Sequence, residues 1–227
     1  MDKQRLFIDM DGTLAEWRNI KFSADITKPE DIAEAINKLN EILILPGYYI
    51  SLTPHQNVVD MANKLIEEDE LDVYIITCVM NPDDPKGPAY EKREWNKKEI
   101  PGLKDDHVII VPNGEDKTKY IPGGMRKGDM LLDDYTKNLK DFERAGGWGI
   151  KLLNDINEKN GSWVGCAISM YKNPDVLVDS IKTIARGERI RHQSPQKNRE
   201  DVYIEITKDF ILPNNFPVTE AEEDYTR

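Results

Sequence analysis

The chain has little cysteine, few histidines, no long apolar run and no excess of positive charge, and each shortage removes a class of protein. Of 227 residues only Cys78 and Cys166 are cysteines. Each sits in an apolar run, so they read as reduced, buried thiols and not as a disulfide framework. His55, His107 and His192 have no Cys or His neighbours at ligand spacing, which argues against a zinc site. No apolar stretch approaches the ~18 residues of a membrane span and the N-terminus is not signal-like. The expectation is a cytoplasmic protein with no membrane partner. The formal net charge of −11 argues against a general binder of nucleic-acid polymers, because phosphate backbones reward Lys and Arg. A small phosphorylated substrate needs only a local positive site and stays open.

What remains is ample for a folded domain. Hydrophobic residues make up 39% of the chain and charged residues 32%, enough for a core and a solvated surface. The length fits one large domain or one domain with an appendage.

The most informative stretch is Leu6-Phe7-Ile8-Asp9-Met10-Asp11-Gly12-Thr13. The apolar run is short enough for a buried strand. It ends in two carboxylates spaced i, i+2, which at a strand end point the same way. Like charges held that close repel unless a cation lies between them or one carboxyl keeps a proton. Gly12 permits a sharp exit, and free N–H groups of the turn can receive an anion. The plainer reading is an ordinary Asp-Gly turn.

Downstream, strand and helix alternate. Helical spacing appears within 15–40 (Ile32, Ala35, Ile36, Leu39), over 56–68, over 90–100 and over 138–145. Strand-like runs fall at 73–77, 107–111, 130–132 and 149–153. That alternation predicts an α/β fold, a Rossmann-like doubly wound parallel sheet covered on both faces. In such sheets ligands bind outside the carboxyl ends of the strands. Asp9, Thr77 and Asp133-Asp134 follow strand runs at those ends, and Lys117 lies in the loop after another. Singly, Thr77 is a β-former, Lys117 a solvated loop charge and Asp133-Asp134 a helix cap. Jointly, four distant segments converge on one crevice.

On these residues, 5–153 resembles the haloacid dehalogenase superfamily of aspartyl-phosphate enzymes. Asp9-Met10-Asp11-Gly12-Thr13 is similar to its first motif, Thr77 to the second, Lys117 to the third, and Leu132-Asp133-Asp134 to the fourth. Leu45-Pro46-Gly47, Ala89-Tyr90-Glu91-Lys92 and Asp116-Lys117-Thr118 narrow this to the 5′(3′)-deoxyribonucleotidase / cytosolic 5′-nucleotidase type C family, although Cys78 after Thr77 departs from the small hydroxyl residue expected there. The resemblance implies a Mg²⁺-dependent phosphomonoesterase acting on (deoxy)nucleoside monophosphates, with Asp9 as nucleophile and Asp11 as general acid and base. Thr77 and Lys117 would bind phosphate oxygens. Asp9, the Asp11 carbonyl and Asp134 would hold the metal, with Asp133 acting beside them or through water. Dehalogenase relatives lack the second aspartate, so Asp11 favours a phosphatase.

The implied organisation is a core over 1–155, a short helical cap over about 14–44 after the first strand, and a small C-terminal extension, 156–227, of unassigned role. In the extension, 174–185 reads as a helix, 186–199 as a basic exposed linker, 202–206 as a strand and 219–227 as an acidic tail. Trp17, Phe22, Tyr48 and Tyr49 flank the entrance and are candidates for stacking on a base. A homodimer is compatible with this picture. A sugar-phosphate or broad phosphatase, or a non-catalytic nucleotide- or metal-binding module, are the competing readings.

Overall fold

In a computed structural model, which describes residues 3–17, 19–156, 162–193 and 203–216, the opening apolar run becomes strand β1 (Arg5–Ile8), buried along its whole length. Leu6 and Ile8 face one side of a sheet and Phe7 the other, as the period of two requires. All three side chains are fully withdrawn from water, which stabilises the fold by about 1.5–3 kcal/mol apiece.

Around β1 lies a six-stranded sheet with the spatial order β4 (Val108–Pro112), β3 (Asp72–Val79), β1, β5 (Met130–Asp133), β6 (Trp148–Leu153), β7 (Cys166–Ser169). Every pairing in it is parallel. Helices α2 (Gln56–Glu68) and α5 (Pro174–Ala185), with Trp95 of α3 (Pro88–Glu99), cover the face that Leu6 and Ile8 enter. Helix α4 (Thr136–Arg144) covers the other, setting Leu139 and Phe142 with Phe7. Helix α2 buries Val58, Val59, Met61, Ala62 and Leu65, a helical stripe, and ends at Asp69 in the left-handed region. The chain runs outward from β1 to β3 and β4, then crosses back to β5 on the opposite side. The topological switch point therefore lies between β1 and β5, above their carboxyl ends. This is the doubly wound parallel sheet that the alternation predicts.

The segment after β1 holds a short strand, β2 (Asn19–Phe22), and helix α1 (Pro29–Ile42). Its apolar cluster extends beyond residue 44 to Tyr48 and Tyr49. The segment set apart after residue 155 is divided between two places. Strand β7 and helix α5 belong to the main sheet, β7 pairing with β6 and α5 lying in the main cluster. Strand β8 (Tyr203–Ile206) instead pairs in parallel with β2, forming a separate two-stranded sheet. Both β7 and β2 are four residues long, and neither lies in a strand-like run of the sequence. Residues 194–199 of the basic stretch and the acidic tail lie outside the described residues. Among the described residues, no helix is long and apolar enough to cross a membrane.

Candidate active site

Asp9 follows the last residue of β1, and its N–H donates to the Leu132 carbonyl of β5 at 2.9 Å, carrying the ladder one step past the strand. The chain then turns sharply. The N–H groups of Thr13, Leu14 and Ala15 donate to the Met10 carbonyl, and that of Gly12 to Ala15. These four N–H groups are committed within the turn. Gly12 has φ +80°, and a Cβ on it would stand 2.5 Å from Asp134 Oδ2. Only glycine lets the first turn approach the end of β5 so closely.

The structure brings all six expected residues to the switch point. Asp9, Asp133 and Asp134 are buried, and each offers a carboxylate oxygen within 4.8 Å of the others'. Lys117, also buried, donates to Asp9 Oδ1 and, at 2.8 Å, to Asp133 Oδ2. It opens a 3-10 turn, Lys117–Tyr120, whose start is fixed by Asp116 accepting from the Thr118 N–H and hydroxyl. Thr13 donates to Asp9 Oδ2 at 3.5 Å. Asp133 is fully engaged, accepting at Oδ2 from Lys117 and Asn138 and at Oδ1 from the Tyr135 N–H at 2.7 Å.

Burial pushes the Asp9 carboxyl well above the usual carboxylate range. Lys117 opposes the shift, while Asp133, Asp11 and Asp134 add to it. Burial pulls the Lys117 ammonium down, but Asp133 and Asp9 outweigh it and hold the group charged. Burial likewise raises the Cys78 thiol, so no reactive thiolate sits beside Thr77.

A second cation stands opposite the first. Lys92, on α3 and wholly buried, donates to Asp11 Oδ2 at 2.5 Å, Thr77 Oγ1 at 2.7 Å and the Cys78 carbonyl at 2.8 Å. All three ammonium hydrogens are thereby used. Its charge also lies 4.4 Å from the centre of the Tyr49 ring. Asp11 Oδ1 is buried without a hydrogen-bond partner.

Asn154 was not picked out by motif. Its amide donates to Asp134 Oδ2 at 2.9 Å and to the Gly12 carbonyl at 2.7 Å, while its own oxygen accepts from the Ile156 N–H. The side chain thus holds the first turn and the end of β5 at one separation. Lys151, buried in β6, donates to the Asp134 carbonyl.

Lys92 had a legible signal. Pro88, Glu91, Lys92, Trp95 and Asn96 recur at i, i+3, i+4, i+7 and i+8, and all are buried. A polar residue within such a stripe is a buried polar residue, and those carry partners. Glu91 shows the same logic, accepting from the Gly47 N–H at 2.6 Å and the Tyr49 N–H at 2.9 Å. The aromatic candidates divide. Tyr48 and Tyr49 are buried in the apolar cluster beside α1 and β8, with rings edge-to-face at 4.9 Å. That places them as walls and not as free stacking platforms. Trp17 is partly exposed and Phe22 is exposed.

No family model matches the chain, and no curated protein matches it. Solved structures of similar shape include D,D-heptose 1,7-bisphosphate phosphatase from B. bronchiseptica, complexed with magnesium and phosphate. It is 11% identical with a TM-score of 0.49, over 80% of this chain and 99% of that one. A hydrolase from Pseudomonas syringae is 17% identical with a TM-score of 0.44, over 81% and 99%. A HAD-superfamily hydrolase from Ehrlichia chaffeensis is 13% identical with a TM-score of 0.42, over 81% and 100%. At such identities and TM-scores the likeness says nothing of what this chain acts on. The doubly wound fold stands on the strand order itself.

Proposed function

We propose that this chain is a Mg²⁺-dependent phosphomonoesterase that works through an aspartyl-phosphate on Asp9, with (deoxy)nucleoside monophosphates as the first substrate class to test. One observation carries the reading. Two aspartates of a single strand end each meet a buried lysine, Asp9 with Lys117 and Asp11 with Lys92, beside the carboxylate of Asp134.

The donor set suits a hard divalent cation. Three buried carboxylates within 4.8 Å of one another, one of them pushed above the usual carboxylate range by burial and, against Lys117, by the other acids, are what an oxygen-preferring ion relieves. Asp9, Asp134 and the Asp11 carbonyl would hold Mg²⁺, which when bound supplies positive charge to the phosphoryl oxygens. Asp133, with both oxygens committed to donors, orients Lys117.

In the first step an Asp9 oxygen attacks phosphorus and the ester P–O bond breaks. The leaving alkoxide takes a proton from Asp11. Lys92 occupies Asp11 Oδ2, so the partnerless Oδ1 is the atom that carries the transferred proton. In the second step Asp11 accepts a proton from water as its oxygen attacks phosphorus, and the Asp9–phosphorus bond breaks to release phosphate. Lys117 and the Thr77 hydroxyl supply fixed positive charge and a donor to the spread charge of the transition state. A module that only bound nucleotide or metal would have no use for a second aspartate with an unpartnered oxygen.

Phosphate release from a panel of nucleoside monophosphates and sugar phosphates, with Mg²⁺ and with EDTA, tests this directly. Mg²⁺-dependent release, lost by about a thousandfold or more in Asp9→Asn, is the expected result. Release from sugar phosphates alone would keep the chemistry and overturn the substrate class. No release from any ester by folded, Mg²⁺-loaded protein would overturn the enzyme reading.

A further inference from the structure

Strand β7 is the last strand of the main sheet, so its outer edge carries backbone groups that no further named strand pairs. The chain covers that edge itself. Beyond α5 it runs back beside β7, where the Ala167 N–H donates to the Ile190 carbonyl at 3.0 Å and the His192 N–H to the Ala167 carbonyl at 2.8 Å. Arg191 thereby forms a single parallel bridge with Ala167, and Ile190 packs against the main apolar cluster. One bridge and one apolar side chain hold little on a sheet edge.

The His192 ring supplies a further hold. Its Nδ1 accepts from the Ser169 N–H at 3.2 Å, and its Nε2 lies 3.2 Å from the Ser180 hydroxyl on α5. Because Nδ1 accepts, the neutral ring keeps its hydrogen on Nε2. The Ser180 hydroxyl donates to the Val176 carbonyl at 2.7 Å and so receives that hydrogen. The two partners together assign the tautomer. Ser169 and Ser180 are both buried, which denies them water in exchange for the ring.

A second proton on the ring can go only to Nδ1. There it would face the Ser169 N–H, donor against donor, and the bond from His192 to β7 would be lost. Nothing charged around the ring favours that proton. Burial, and then the like charge of Lys172 in the turn after β7, hold His192 below the ordinary histidine value. On the ring's own segment, Arg189 and Arg191 donate to the Val164 and Gly165 carbonyls. On β7, Cys166 packs against the main cluster. On α5, Asp179 is exposed and Lys182 is paired with Glu68 and Glu70. Among the described residues, no carboxylate bonds to the ring.

We propose that His192 is a pH-sensitive latch: the neutral ring clips residues 190–192 to the edge of β7, and protonation at Nδ1 releases them. The latch is whole above the ordinary histidine pKa of about 6.5. It weakens as pH falls from there toward the lower value of the latched ring. Opening withdraws Ile190 from the cluster and bares the Ala167 N–H and carbonyl and the Ser169 N–H. The latch asks nothing of the phosphatase reading and stands or falls without it.

The test uses the full chain and nuclear magnetic resonance at about pH 7.5 and about pH 5.5, on either side of the ordinary histidine value. Amide-exchange protection, corrected for the pH dependence of free-amide exchange, is followed at Ala167, Ser169 and His192, with Leu6–Ile8 of β1 as reference. Expected is a fall in protection of about fivefold or more at the three amides at the lower pH, with β1 unchanged. His192→Gln, which cannot titrate, should lose this pH dependence. Equal protection at the two pH values in wild type overturns the latch. So does a fall of the same size in His192→Gln, because another group would then be responsible. If His192→Gln is open at both pH values, the wild-type ring decides through its own nitrogen shifts. A hydrogen on Nε2 at the higher pH and a measured pKa below the ordinary value support the latch. A pKa at or above that value overturns it, since such a ring is no harder to protonate latched than free.

Discussion

The two lysines of the site do similar electrostatic work in different settings. Lys117 sits between Asp9 and Asp133, both buried, entirely within residues that end the strands or follow them directly. Lys92 serves one carboxylate, Asp11, whose side chain is 20% exposed, and shares the remaining hydrogens with Thr77 and the Cys78 carbonyl. It also lies 4.4 Å from the centre of the Tyr49 ring, outside the sheet. The Lys117 half belongs to the sheet and neutralises. The Lys92 half joins the strand ends to α3 and the Tyr49 ring. A buried charge shared by two buried acids is costly to remove, and the cost is smaller where water reaches the partner acid.

Removing each lysine without changing volume would break this comparison most sharply. Lys117→Met leaves Asp9 and Asp133 buried without their cation, so metal-free protein should lose about 3–5 kcal/mol in urea unfolding. A loss under about 1 kcal/mol would mean the two acids share a proton and need no cation. Lys92→Met should cost less stability, because water reaches Asp11. Its larger effect should be on turnover, a fall in kcat of about a hundredfold with little change in nucleotide KM. An equal loss of stability in both variants would erase the distinction.

Asn154→Ala should act on metal affinity. With the clamp between Asp134 Oδ2 and the Gly12 carbonyl gone, Mg²⁺ binding measured by calorimetry should weaken about 10–100-fold. Unchanged binding would show that Lys151 on the Asp134 carbonyl suffices. The smallest expected effect is a pH slope. Asp9 is raised above its unfolded value, chiefly by burial. The unfolded chain therefore releases this proton at lower pH than the folded one. The corresponding stability is full below the ordinary carboxylate pKa and is lost as pH rises toward the folded one. In EDTA the melting temperature should decline over that window, and Asp9→Asn should flatten the decline. A wild-type slope of the opposite sign would place Lys117 ahead of burial as the dominant influence.

Much of the sheet was legible because its strands are continuous apolar runs bounded by turn residues. Thr77, Lys117, Asp133 and Asp134 could be placed because they follow such runs. Lys92 and Asn154 were harder for opposite reasons. Lys92 lies in a helix so rich in charge that its buried polar stripe resembles a solvated face. Asn154 follows the apolar end of β6 as a single amide, with no partner near it in the chain. Arg5 gives the converse warning. Its charge is as buried as those of the active site, but it pairs with Asp129 and with the Pro122 and Gly124 carbonyls at the far end of β1. Burial of a charge does not by itself mark function.

The sequence by itself determined the alternation of strands and helices, the two aspartates on one strand end, and the glycine that lets Asp134 come near. These follow from interactions between residues a few positions apart, where the period of a strand and the conformation of a turn act directly. Tertiary structure alone decided that Lys92 faces Asp11, that Asn154 clamps Asp134, and that β8 returns across the whole chain to pair with β2. Those contacts join residues separated by 81, 20 and 184 positions. They are set by where the sheet and cap leave buried polar groups and strand edges to be satisfied, which no local pattern records.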